Sequence, residues 1–143
     1  MEVSNCINFI LTNTQNAVGN YFKHRLAEYD LTPGQYNMLR ILHGAESMTP
    51  SQLAVEMHLD TSSITGLLGR LEAKGLIERT YNQEDRRSVS VSLCESAKVL
   101  WNKLDSVIED ANRVVQAGIS PAEYAVLADQ LRRIEENAKN NLE

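Results

Sequence analysis

Residues 49–93 constrain the fold of this chain more than any other stretch, because local chemistry dictates the order of elements there: helix, tight turn, helix, two-stranded ribbon. Thr49-Pro50 offers an N-cap hydroxyl and a proline at the first helical position, where a missing N–H costs nothing. Leu53, Ala54 and Met57 then direct one apolar face toward a core. Leu59-Asp60 closes the turn, and Thr61, Ser62 or Ser63 is expected to cap the second helix. Ile64, Leu67, Leu68 and Leu71 form its buried stripe. Gly75 ends it, since glycine tolerates the left-handed conformation after a last turn. The ribbon is expected over 76–80 and 88–93, the second segment alternating polar and apolar residues strictly. Between them runs a polar loop, 81–87, with Asp85-Arg86-Arg87 at its tip.

The exposed face of the second helix carries Thr61, Ser62, Ser63, Thr65, Gly66, Gly69 and Arg70. Hydroxyls and glycines permit close approach and can meet phosphates or base edges, while a helix N-terminus presents unpaired N–H groups to an anion. Arginine at the loop tip suits a phosphate or a narrow minor groove, and Asp85 is placed to orient it through a charge-assisted bond. Taken together, this order of elements suits one helix in a DNA major groove with a basic finger beside it.

Composition limits how such binding works. The net charge of −5 argues against broad nucleic-acid affinity, and 61–93 holds five basic residues against four acidic ones. Binding therefore depends on local placement and on doubling of sites. With 143 residues the chain suffices for one sizeable core. No apolar run approaches ~18 residues and no basic leader precedes one, so a cytoplasmic protein without a membrane span is expected.

Doubling is suggested by the flanks. Ile7, Ile10, Leu11, Val18, Tyr21, Phe22, Leu26 and Tyr29 fit one long helix. Trp101, Leu104, Ile108, Ala111 and Val115 give a second a packing seam. Ser120-Pro121 with Glu123 opens a third, striped by Tyr124, Leu127, Leu131, Ile134 and Ala138. A winged module of some sixty residues cannot cover all of this, so pairing with a second subunit is expected. The division is 1–30 and 95–143 for helical dimerisation, and 31–94 for the DNA-binding module.

The blocks RLEAKGLIER (70–79) and EDRRSVSVSL (84–93), with Leu31-Thr32-Pro33-Gly34-Gln35-Tyr36 and MLRIL after it, resemble the MarR family of winged helix-turn-helix transcription regulators. The resemblance implies a mainly α fold with a small β-wing and long terminal dimerisation helices. It assigns DNA contacts to Ser62, Ser63, Thr65, Arg70, Arg86 and Arg87, with Asp85 orienting the wing. Gly66 departs from the larger polar or basic side chain frequent in the family. The implied function is a ligand-responsive homodimeric repressor on a pseudo-palindromic double-stranded operator.

An enzyme is not expected. His24, His43 and His58 are dispersed, and Cys6 and Cys94 form no Cys-x-x-Cys pair. No phosphate loop or nucleophile elbow occurs, and no metal or cofactor is called for. For an effector, a small aromatic or phenolic molecule, the candidate pocket residues are Tyr21, His24, Arg25, Tyr36 and His43, on helices flanking the winged lobe. One branch of the resembled family senses organic hydroperoxides through a cysteine near the start of its first helix, which makes Cys6 the candidate for a redox-sensing alternative. Otherwise Cys6 is an incidental thiol and Cys94 a packing residue. A further alternative is a helical adaptor dimer that binds protein rather than DNA.

Overall fold

The computed structural model describes residues 2–85 and 87–142. Six helices and one two-stranded sheet follow in the order α1 (Ile7–Leu26), α2 (Pro33–His43), α3 (Pro50–Met57), α4 (Thr61–Ala73), β1 (Ile77–Tyr81), β2 (Val89–Leu93), α5 (Glu95–Val115) and α6 (Pro121–Asn140). Short 3-10 turns precede α1 and follow it. The chain divides into two compact units, Met1–Glu109 and Asp110–Glu143. No described helix is long and apolar enough to cross a membrane.

All three prolines occupy the first position of a helix, and each of those helices opens with the same reciprocal device. Thr32, Thr49 and Ser120 accept the backbone N–H of Gln35, Gln52 and Glu123, whose side chains return a bond to the cap residue's own N–H. Each capping box satisfies two otherwise orphaned donors. The starts of α2, α3 and α6 are therefore encoded within four residues of sequence. The end of α4 is local too: Gly75 adopts φ 69°, its N–H meets Glu72 O, and Leu76 N–H meets Leu71 O. This is the Schellman arrangement, which needs a left-handed residue at that place.

Inside the first unit a single core joins α2, α3, α4, the sheet and α5. Met38, Leu39, Leu42, Leu53, Ile64, Leu68, Leu71, Val91 and Leu104 are all but inaccessible. The antiparallel sheet pairs Ile77 with Leu93 and Tyr81 with Val89. Tyr81, expected in the loop, thus belongs to β1, while Ser88, expected in the return strand, precedes β2, so the connection shifts by one residue to 82–88. A third segment escaped the sequence reading: Met48 bridges Val91 through two backbone bonds of 3.0 and 2.8 Å. The wing is thereby tied to the α2–α3 connection.

The termini differ. Helix α1 ends at Leu26, the expected continuation to Tyr29 being a 3-10 turn, and Leu26 is its one buried residue. In the second unit α6 buries none, and Tyr124, Leu127 and Leu131 are each more than two-fifths exposed.

Candidate nucleic-acid interface

The start of α4 is set by Asp60, not by the hydroxyl residues expected to cap it. Its carboxylate accepts the Ser63 N–H at 2.7 Å and the Ser62 hydroxyl at 3.2 Å. A carboxylate is the stronger acceptor and also suits the positive end of the helix dipole, so it takes the cap when competing side chains follow directly. The Ser63 N–H, then the hydroxyls of Ser63 and Ser62, hold the Asp60 carboxyl below the usual carboxylate range. This exchange of roles frees the Thr61 side chain from the cap and commits the Ser62 and Ser63 hydroxyl protons to Asp60, so both serine oxygens remain available as acceptors. Thr65 donates its hydroxyl back to Thr61 O at 2.9 Å. It too presents an acceptor rather than a donor.

Because Ile64, Leu68 and Leu71 face the core, the opposite pole of α4 is Ser62, Gly66, Gly69 and Ala73. No side chain on that pole is larger than serine. A Cβ on Gly69 would meet nothing within 4 Å, and one on Gly66 would meet only Arg70 Nη1, at 4.0 Å. Neither glycine is demanded by the fold of this chain. Arg70 lies back along the helix over Gly66, exposed.

The wing tip is organised by its own side chains. Asn82 Oδ1 accepts Glu84 N–H and Asp85 Oδ1 accepts Arg87 N–H, both at 3.0 Å, while Ser88 N–H meets Asp85 O. Asp85 thus acts on the backbone of Arg87, as an Asx-turn; the expected bond to a guanidinium is not made to Arg87, and for Arg86 it falls outside the described residues. Arg87 is exposed; Arg86 lies outside the described residues. The other cations of the module are engaged elsewhere. Arg79 pairs with Glu72 at 3.2 Å, and Lys74 reaches Asp30 and Gln35. Arg40 bonds to the Tyr36 hydroxyl, and Arg70 and Arg87, on the face of α4 and at the wing tip, are without an ion pair among the described residues.

The five candidate effector residues fall in two groups, Tyr21, His24 and Arg25 on α1 and Tyr36 and His43 on α2. Arg25 Nη1 donates to the Tyr21 hydroxyl at 3.2 Å, one turn apart on α1, and His24 is exposed. Tyr36 and His43 stack on Trp101 at centroid distances of 5.9 and 4.3 Å, Tyr36 within the core and His43 at its exposed margin. Burial raises the Tyr36 hydroxyl above its ordinary pKa, against the opposing charge of Arg40. A groove of about 650 Å³ between the end of α2, the base of the wing and the start of α5 is lined by His43 together with Glu46, Glu78 and Lys98. Sequence reasoning missed it because its walls come from three segments far apart in the chain. Cys6 is half-buried at the N-cap of α1 without a side-chain capping bond. Cys94 is half-buried, its thiol pushed up by burial and by the Glu78 carboxylate. No group of three or more metal-ligating side chains occurs among the described residues.

The MarR family model matches residues 31–89, the stretch from the start of α2 to the return strand of the wing. The organic hydroperoxide resistance transcriptional regulator of Bacillus subtilis is 32% identical over 103 residues, covering 72% of this chain and 70% of that protein. The homoprotocatechuate degradative operon repressor of Escherichia coli is 32% identical over 107 residues, 75% of this chain and 72% of the repressor. Among solved structures, a MarR variant from E. coli complexed with operator DNA superposes with a TM-score of 0.84 at 22% identity, over 90% of this chain and 92% of that one, a likeness of fold. These relatives are regulators rather than enzymes. With the helix order, the wing and the matched sequence agreeing, the chain belongs to the MarR family of winged helix-turn-helix transcription regulators.

Proposed function

We propose that the chain is a homodimeric repressor whose two α4 helices enter successive major grooves of a pseudo-palindromic operator, half-site centres about one turn (~10 bp) apart. The observation that carries this reading is the bare outward pole of α4. Two glycines in a helix interior cost stability without an internal reason, and a backbone that another molecule must approach closely supplies one. Ser62, Ser63 and Thr65 present oxygens around that pole, and Arg70 reaches a base edge or phosphate beside it. The wing arginines, Arg86 and Arg87, take the adjacent minor groove, with Asp85 holding the backbone of Arg87. Residues 31–94 are the DNA-binding region; 1–30 and 95–143 supply the dimer helices.

Doubling is required by charge. A chain of net −5 offering so few unengaged cations per module gains affinity by engaging two half-sites at once. Apolar side chains exposed on α1 (Ile7, Phe9, Ile10) and on α6 (Tyr124, Leu127, Leu131) are the surfaces a second subunit covers. Release follows when a small aromatic or phenolic effector favours a dimer whose helix spacing mismatches the operator, since a ligand acts only through its differential affinity for two states. The Escherichia coli relative, named for the degradation of a phenolic acid, supports that class. The name of the Bacillus subtilis relative supports a second trigger, oxidation of Cys6. Hydroperoxide-dependent release that persists in Cys6→Ser discards it. A regulator of this kind works in the cytoplasm, beside the DNA.

Selection of random duplexes on the purified chain at two salt concentrations tests the reading. The expected outcome is an enriched pseudo-palindrome whose affinity falls steeply with salt. No enrichment at low salt overturns it and leaves the protein-binding adaptor in its place.

A further inference from the structure

The end of the recognition helix remote from its N-terminus is held by a single ammonium group. Lys74, the C-cap of α4, donates from Nζ to the backbone carbonyl of Asp30 and, at 3.0 Å, to Gln35 Oε1; the Asp30 carboxylate stands 3.5 Å away. Asp30 closes the 3-10 turn after α1 in the left-handed conformation, φ 53°. Gln35 is 3% exposed, the one buried polar residue among those described, and its Oε1 also receives the Thr32 N–H that opens α2. One cation therefore joins the end of α1, the start of α2 and the end of α4, segments about forty residues apart in sequence.

We propose that Lys74 is a positioning residue for operator binding: it fixes α4 against the α1–α2 corner and so sets the spacing at which a dimer presents its two recognition helices. This rests on the DNA-binding reading above. An ammonium with three N–H donors facing three protein oxygens has none left to offer a phosphate. Its removal also leaves no buried group unpaired. Gln35 Oε1 keeps the Thr32 N–H, and the Asp30 turn keeps its own backbone bond to Ala27 O. The loss therefore appears in the orientation of α4 more than in melting. The device is also directional, because α1 carries exposed apolar surface at its other end. A change of packing along α1 is transmitted to α4 through this contact.

The test compares wild type with Lys74→Met, which keeps the aliphatic stem, and Lys74→Arg, which keeps the charge. In the free protein, Lys74→Met is expected to speed amide hydrogen exchange at the end of α4 and at Leu31, with core amides such as Leu39 unchanged. On the selected duplex it should lower affinity about tenfold, within the range by which substitutions remote from a ligand shift coupling, and flatten the preference among half-site spacings that differ by one base pair. Lys74→Arg should restore most of both, and the salt slope should equal that of wild type throughout. Unchanged exchange overturns the proposal. So does a salt slope smaller by about one, which would make Lys74 a phosphate contact. Either result leaves the DNA-binding reading standing. A wild-type chain that selects no duplex removes that reading, and the positioning role with it.

Discussion

The winged module and the terminal helices solve opposite problems with the same residue types. Between Leu31 and Leu93 the large aliphatic side chains are mostly buried, and the outward pole of α4 is stripped to serine, glycine and alanine. In α6 leucines at helical spacing are exposed, and in α1 Ile7, Phe9 and Ile10 are about half exposed. The core of the module is completed within the chain, by Leu26 of α1 and by Trp101, Leu104 and Ile108 of α5, whereas α6 and the start of α1 leave apolar side chains uncovered. The lesson is that apolar patterning records what a helix is to be packed against, without saying whether that surface belongs to the same chain. Where the expected ligand is DNA, the pattern becomes small and polar. Where it is a second copy, the pattern stays apolar.

Substitutions can break this contrast at either side. The largest effect is expected from Leu127→Glu with Leu131→Glu, which places charge on the exposed stripe of α6. Sedimentation should show a monomer, and operator affinity should fall by roughly 10²-fold or more as the second half-site is lost, with far-UV circular dichroism little changed. If the double variant stays dimeric, α6 is not the paired surface. Next, Leu53→Ala within the module should cost about 2–5 kcal/mol in a denaturant melt, the range for emptying a fully buried leucine site. A loss below 1 kcal/mol would mean that the module does not stand on its own core. Arg87→Ala at the wing tip should weaken binding by about 1–3 kcal/mol and leave the melting temperature alone.

Gly69→Ala separates stability from function most cleanly. Nothing lies within 4 Å of the added methyl group, so the protein should gain up to ~1 kcal/mol of stability from helix propensity while binding its operator less tightly. An alanine variant that is more stable and binds equally well would remove close backbone approach from the interface. The smallest effect concerns acid. The Asp60 carboxyl is held below its ordinary range in the folded chain, so its stabilising contribution is complete above about pH 4 and is lost as pH falls through the lowered value. Asp60→Ala should flatten the acid limb of the stability profile and leave the neutral region parallel to wild type.

The element order was legible because its signals are local. Proline with a hydroxyl before it starts α2, α3 and α6, and Gly75 stops α4, each within a few residues. Where several side chains compete within one turn, sequence alone misassigns the winner: Asp60 takes the cap expected of Thr61, Ser62 or Ser63. Long-range geometry was not legible. The Met48–Val91 bridge joins residues whose separation carries no pattern, and the stacking of Tyr36 and His43 on Trp101 depends on α5, far away in sequence. The Lys74 contacts likewise depend on where the α1–α2 corner falls. A count of basic residues treated Lys74 and Arg79 as available to DNA, whereas both are engaged within the protein.

The most direct test of the division between a DNA-reading module and apolar terminal helices is the mass of the complex formed with the selected duplex, measured by sedimentation across a range of protein concentrations. Two chains on each duplex are expected, with the Leu127→Glu/Leu131→Glu variant failing to form that species. One wild-type chain on each duplex, bound with undiminished affinity, would contradict it.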